Sequence, residues 1–297
     1  MVFNKQNAVK GSIFGLAIGD ALGGPIEGMS VHNIQMIHTK IIDLIGGGMW
    51  ELRPGQYTDD TALALCIANS LIEKKGFDPK NISDKYVTWL NSDPFDIGIT
   101  TKEAMINLRK GISPYESGIR DAEANGGVMR CAPVGLAASY SLDNVDKYSR
   151  IETSITHASE LAKNSCAMVN TLIAKLIKDT EWNLAINETL NKYSRLSDII
   201  NRTDKIINPT GHLPQTLSAV FYSLHTSDNF EDTLIKAVNL GGDADTVGAI
   251  TGAIAGARYG FSSIPKRWHS KIEDAIKLTY ISEELTKLSQ KPLQFFK

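Results

Sequence analysis

Residues 240–259 read Leu240-Gly241-Gly242-Asp243-Ala244-Asp245-Thr246-Val247-Gly248-Ala249-Ile250-Thr251-Gly252-Ala253-Ile254-Ala255-Gly256-Ala257-Arg258-Tyr259. From Thr246 to Tyr259 the pattern predicts a helix in which Gly248, Gly252 and Gly256 recur every four residues, with Ala249, Ala253 and Ala257 beside them. Each interior glycine costs about 1 kcal/mol relative to alanine. A helix that accepts three of them is expected in a close-packed core, where small faces let backbones approach. The same period marks residues 8–22, through Gly11, Gly15 and Gly19.

Outward from these segments, helical signals dominate. A 3.6-residue apolar period predicts helices over 59–75, with Gly76 as the stop, and over 159–178. Residues 214–225, 230–240 and 267–289 also read as helices. Strand signals are few: 41–45 is short and ambiguous, and Gly46-Gly47-Gly48 after it is a loop. No Pro/Ser-rich linker or repeated module divides the 297 residues. The expectation is a single all-α domain over 1–297.

Composition narrows the function. The net charge of -2 gives no electrostatic reason for general nucleic-acid binding or for an anionic membrane. Three cysteines (Cys66, Cys131 and Cys166) without CxxC spacing argue against a disulfide framework or a zinc knuckle, and are expected as buried free thiols in a reducing compartment. Lys5 and Lys10 precede an apolar run, but Asp20 interrupts it and no uncharged stretch reaches the ~18 residues that span a bilayer. A cytoplasmic protein is expected.

Chemistry concentrates where two predicted helices begin. Thr58-Asp59-Asp60-Thr61 and Asp243-Ala244-Asp245-Thr246 each place two carboxylates and a threonine hydroxyl at a helix start. N-capping explains one such acid. It does not require a second crowded against it, nor Gly241-Gly242 just ahead, which suggests special backbone geometry or close approach of a ligand. Two clusters together point to hard divalent cations, Mg²⁺, Mn²⁺ or Ca²⁺, rather than zinc. Four carboxylates carry charge enough for two ions, and paired metals ~4 Å apart are a hydrolytic device. The DDxxD pattern of all-α isoprenoid synthases fails, because position 63 is Leu63.

With these residues in view, the chain resembles the ADP-ribosylglycohydrolases, including the bacterial dinitrogenase reductase-activating glycohydrolases. The resemblance runs from Gly11 to Gly260 and rests on five motifs in the family's order: Gly15 to Gly23 with Pro25 and Glu27; Thr58-Asp59-Asp60-Thr61; Asn125-Gly126-Gly127-Val128-Met129-Arg130-Cys131-Ala132-Pro133; Thr156-His157; and Gly241 to Gly248. It implies an all-α orthogonal bundle with two Mg²⁺ or Mn²⁺ ions on Thr58, Asp59, Asp60, Asp243, Asp245 and Thr246. It implies cleavage of the bond between the ADP-ribose anomeric carbon and an acceptor, often an arginine guanidinium, on an ADP-ribosylated protein or an ADP-ribose-containing small molecule.

By the same resemblance, Glu27 is the candidate base beside the metals, and Asp96 in Phe95-Asp96-Ile97-Gly98 a second catalytic candidate near the substrate. Apart from the resemblance, Glu27 reads as an exposed loop acid and Asp96 as a helix cap. Asn125, Gly126 and Gly127 fit a pyrophosphate loop, since glycines let backbone N–H groups reach phosphate oxygens. Met129 belongs to the same motif, and Gly241 and Gly242 join it as substrate-binding candidates. His157 is expected on the ADP-ribose pocket. His212 follows Gly211 where relatives carry tyrosine, which leaves the aromatic contact to the nucleotide open. Three function classes stand: an ADP-ribosyl-acceptor hydrolase, another metal-dependent nucleotide or glycoside hydrolase, and a non-catalytic crystallin-like relative. The intact acid motifs favour an enzyme.

Overall fold

A computed structural model describes residues 4–201 and 208–296. Fifteen α-helices run along them in order: α1 Lys5–Gly23, α2 Val31–His38, α3 Asp59–Lys74, α4 Pro79–Leu90, α5 Ile99–Arg109, α6 Ala132–Ala137, α7 Leu142–Ser154, α8 Glu160–Leu176, α9 Trp182–Lys192, α10 Ser197–Ile200, α11 Leu213–His225, α12 Phe230–Val238, α13 Ala244–Tyr259, α14 Lys266–His269 and α15 Ala275–Leu288. The fold is the all-α bundle expected. None of the described helices is long and apolar enough to cross a membrane.

The two small-residue stripes meet each other. A Cβ placed on Gly15 would fall 2.1 Å from the Gly252 carbonyl oxygen, and one on Gly19 would fall 2.0 Å from that of Gly248. The neighbouring rungs are Gly11 on Gly256 and Gly23 on Ala244. Glycine is therefore required by backbone-on-backbone contact along the antiparallel pair α1 and α13, and the lost helix propensity is offset by burial of both helices over nearly their whole lengths.

Three expectations need correction. Helix α3 ends on Lys75 in the left-handed region (φ 49°), not on Gly76. Gly76 is instead paired with Phe77 as a two-residue strand, parallel to Gln294–Phe295. A side chain there would strike the Phe296 ring at 2.5 Å. The helix read over 267–289 is broken between His269 and Ala275: Asp274 turns to φ 59° and Glu273 N–H donates to the Gly55 carbonyl, seating the break against the loop that leads into α3. Residues 41–45 form no strand. Helices α2, α4 and α5 lie outside the stretches read as helical from the sequence. The three cysteines are free; Cys131 and Cys166 are buried and Cys66 is partly so.

Candidate active site

The N-termini of α3 and α13 open onto one cavity of about 690 Å³. Its wall carries Glu27, Asp59, Asp60, Asp96, Asp243 and Asp245, and among the described residues it carries no lysine or arginine. Capping accounts for neither cluster. Thr58 and Asp243 occupy the N-cap positions, and neither side chain makes a capping hydrogen bond. The cap of α3 comes from another helix: Asp20 on α1 accepts from Thr58 N–H at 2.9 Å and Thr61 N–H at 3.0 Å, and from both hydroxyls at 2.9 and 2.6 Å. This partner was missed, because nothing local links position 20 to positions 58 and 61. With the backbone donors satisfied by Asp20, the first-turn acids Asp59 and Asp60 are free to face the cavity.

Asp60 is the most enclosed. Its Oδ2 accepts from Thr246 Oγ1 at 3.4 Å and lies 3.3 Å from Thr58 Oγ1, whose proton points to Asp20, while Oδ1 is buried with no hydrogen-bond partner among the described residues. Thr58 sits behind the cavity wall beside Asp60. Asp245 accepts from the Thr246 N–H at 2.9 Å. Asp243 accepts from Asn125 Nδ2 at 2.7 Å, which ties the second acid motif to the Asn-Gly-Gly turn. Glu27 is half-buried rather than an exposed loop acid, and its Oε2 accepts from Trp50 Nε1 at 2.7 Å. Asp96 is no helix cap, since Gly98 holds that place on α5. Carboxylate oxygens of Glu27, Asp96 and Asp245 lie within 4.8 Å of one another, so the two catalytic candidates share one cluster with a metal-ligand candidate.

Crowding raises these acids. Burial, then the charge of Asp20, pushes Asp59 up to about 7. Burial, then Asp59 and Glu27, pushes Asp96 up to about 8. Burial also lifts Asp60 and Asp245 well above the carboxylate range, with Asp20 and Asp243 respectively the next cause. Glu27 is raised by burial, against the opposing bond from Trp50. Uncompensated acids and an orphaned carboxylate oxygen fit a hard cation, which would replace the missing partner with charge.

Gly241 and Gly242 have φ of 71° and 65°, so the special backbone geometry expected of them is present. Its cause is protein backbone: a Cβ on Gly241 would meet the Met29 carbonyl at 2.6 Å, and one on Gly242 the Pro209 carbonyl at 2.1 Å. Two backbone bonds also lash the Glu27 loop to the Asp243 loop, Gly28 N–H to Gly242 O and Gly242 N–H to Met29 O, both 2.8 Å. Gly242 lines the cavity; Gly241 does not. Asn125, Gly126, Met129 and His157 line it as well. Gly127 does not: it packs on Thr153 and the Cys166 thiol. His212 also lies off the wall, with its half-exposed ring 3.5 Å from Glu123. Gly28, Ile99, Thr100, Thr101, Ala124 and the stretch from Asn208 to Thr210 also line the cavity and carried no distinctive motif, and Gly98 and Gly211 line it beside them. A second cavity of about 210 Å³ shares Asp59 and Asp96 and is walled by Tyr57, Trp89, Phe95 and Glu273.

Fold and cavity together define an all-α protein with an acid-lined cavity between two helix starts. The chain belongs to the ADP-ribosylglycohydrolase family, whose model matches residues 3–294. It is 34% identical over 269 residues to ADP-ribosyl-[dinitrogen reductase] glycohydrolase of Rhodospirillum rubrum, covering 89% of each chain. It is 32% identical over 291 residues to the ADP-ribosylarginine hydrolase Tri1 of Serratia proteamaculans, covering 93% of this chain and 78% of that one. A solved structure described as an ADP-ribosylglycohydrolase-related protein complex superposes with a TM-score of 0.83 at 31% identity, over 96% of this chain and 99% of the other.

Proposed function

We propose that the protein hydrolyses the N-glycosidic bond between ADP-ribose and an arginine side chain on protein, with two Mg²⁺ or Mn²⁺ ions at the acid cluster. The observation that carries this reading is the convergence of six carboxylates on one cavity with no described lysine or arginine on its wall. An anionic nucleotide would be repelled by such a wall unless cations intervene. Asp59, Asp60, Asp243, Asp245 and Thr246 would hold the ions from the cavity side, with Thr58 completing the set from behind. Bound there, the metals would orient ribose hydroxyls and acidify a water.

The remaining work belongs to the chain. Glu27 is the base: Trp50 fixes Oε2, which leaves Oε1 to take the proton of the attacking water, and burial raises the carboxylate toward the working range of a base. Cleavage passes through an oxocarbenium-like state, and the surrounding carboxylates stabilise positive charge developing at the anomeric carbon. Asp96 faces both cavities and offers a carboxyl oxygen to accept from the acceptor guanidinium, whose own charge would draw the proton off it, while the aromatic walls of the smaller cavity suit the planar face of the guanidinium. The name of one relative, an ADP-ribosylarginine hydrolase, supports the arginine acceptor, and that of the other, an ADP-ribosyl-[dinitrogen reductase] glycohydrolase, supports a protein substrate.

The test is release of free ADP-ribose from an arginine-ADP-ribosylated protein, with Mg²⁺ and with EDTA. Metal-dependent release is expected. Release that is unchanged in EDTA refutes the metal assignment. Release from serine- or nucleic-acid-linked ADP-ribose but not from arginine refutes the acceptor.

A further inference from the structure

Behind the cavity wall lies an ion pair that the proposed chemistry does not use. Arg130 and Glu152 are both fully buried. Glu152 Oε1 accepts from Arg130 Nε at 3.0 Å and from Tyr86 Oη at 2.5 Å. The guanidinium then reaches forward: Nη1 donates to the Gly126 carbonyl at 3.0 Å and Nη2 to Thr156 Oγ1 at 2.6 Å. Thr156 Oγ1 lies 2.8 Å from Nδ1 of His157. The imidazole lines the cavity beside Gly126, where a Cβ would fall 2.8 Å from its Cε1 and 3.2 Å from its Nε2.

Proton count along this chain leaves one arrangement. A guanidinium only donates, so Thr156 Oγ1 must accept from Nη2. The hydroxyl has one proton left to give. Thr156 is fully buried, and His157 Nδ1 is the sole acceptor for that proton among the described residues. Were Nδ1 itself protonated, Thr156 would accept twice and its own proton would be stranded in a dry interior. Burial, then the Arg130 charge, pushes His157 down to about 3, so the ring is neutral and its tautomer sets what it offers a ligand.

We infer that Arg130, locked by Glu152, acts through Thr156 to hold His157 as the Nε2–H tautomer, so that the imidazole donates a hydrogen bond to a ligand oxygen in the cavity. Arg130 and Thr156 are positioning residues, and His157 a binding one. A ring held this way selects an acceptor oxygen, a phosphate or hydroxyl, over a donor group. The identity of that oxygen as part of ADP-ribose rests on the function proposed above.

Long-range ¹H–¹⁵N correlation spectra of the free protein read the tautomer directly, and calorimetry with ADP-ribose in Mg²⁺ reads the binding. The wild type and Thr156→Ser are expected to show an unprotonated Nδ1 and a protonated Nε2. Thr156→Val keeps the shape and loses the hydroxyl. It is expected to populate both tautomers and to weaken ADP-ribose binding in proportion to the Nε2–H fraction lost, about twofold where the two tautomers are equally populated. A protonated Nδ1 in the wild type overturns the inference. So does a Thr156→Val protein with wild-type tautomer and affinity. If Thr156→Val does not fold, the wild-type and Thr156→Ser spectra decide. A wild type that binds no ADP-ribose refutes the proposed function instead, because the tautomer is measured without ligand.

Discussion

Replacing Asp59 by asparagine is expected to stabilise the metal-free protein while removing its activity. Asp59 ionises at about 7 in the fold, against an ordinary 3.8. A carboxyl raised in the folded state favours the protonated form there. Its contribution is therefore intact below pH 3.8, falls as pH rises toward 7, and stays low above. The span from 3.8 to about 7, at 1.36 kcal/mol per pH unit, is ~4 kcal/mol. Asparagine keeps the shape and an oxygen for the Gly98 N–H, and carries no charge. In EDTA at pH 8 the variant should melt roughly 8–16 °C above wild type, on a slope of about 2–4 °C per kcal/mol. At pH 4 the two should nearly coincide. Added Mg²⁺ should raise the wild type and erase most of the difference, since the metal supplies the compensating charge. The assay is thermal melting by circular dichroism over pH 4–8 in EDTA and in Mg²⁺. An Asp59→Asn protein no more stable than wild type at pH 8 in EDTA would refute the reasoning, because the acid would then not be an uncompensated charge.

Other outcomes follow from single contacts. Glu27→Gln should slow turnover at least ~100-fold with the helical spectrum unchanged; a change in KM alone would make Glu27 a binding residue. Trp50→Phe removes the donor to Glu27 Oε2, so the Glu27 carboxyl should rise further and the acid limb of the kcat/KM profile should move to higher pH; an unmoved limb would show that Glu27 does not govern it. Gly252→Ala puts a methyl 1.9 Å from the Gly15 carbonyl oxygen, where only backbone could give way. A loss of at least ~1–3 kcal/mol in urea unfolding is expected, and a neutral result would mean the two helices are not in contact there.

What the sequence disclosed and what it withheld divide by range. The glycine period of α1 and α13, the paired acids and the Gly241-Gly242 turn are local patterns, and each announces a constraint on its own neighbourhood. The partners that satisfy those constraints are remote. Asp20 completes the start of α3 from 38 residues away, and Arg130 meets Glu152 and Thr156 across 22 and 26 residues. The Gly76–Gln294 pairing joins positions more than 200 residues apart. Gly127 and Gly241 show the complementary limit. Glycine signals that something lies close, but a ligand and a neighbouring backbone leave the same mark, and at both positions the neighbour is protein.

The least conventional feature of the fold also explains the placement of the site. Two helices that meet through glycine on both sides have almost no freedom to slide, since each rung is backbone against backbone. The rungs descend from Gly11 on Gly256 to Gly23 on Ala244, and the last of them lies at the start of α13. Asp20 is on α1, three residues before that rung, and from there it holds the start of α3. Asp243 and Asp245 flank Ala244 at the start of α13, the first as its N-cap and the second in its first turn. Register between α1 and α13 therefore becomes register between the Asp59-Asp60 and Asp243-Asp245 pairs. A slip of one four-residue rung would carry one acid motif ~6 Å past the other, at 1.5 Å per residue, farther than the 4.8 Å within which Glu27, Asp96 and Asp245 now gather. Helix propensity is given up along both stripes, and what is secured is the distance between two clusters of like charge that would otherwise repel each other apart.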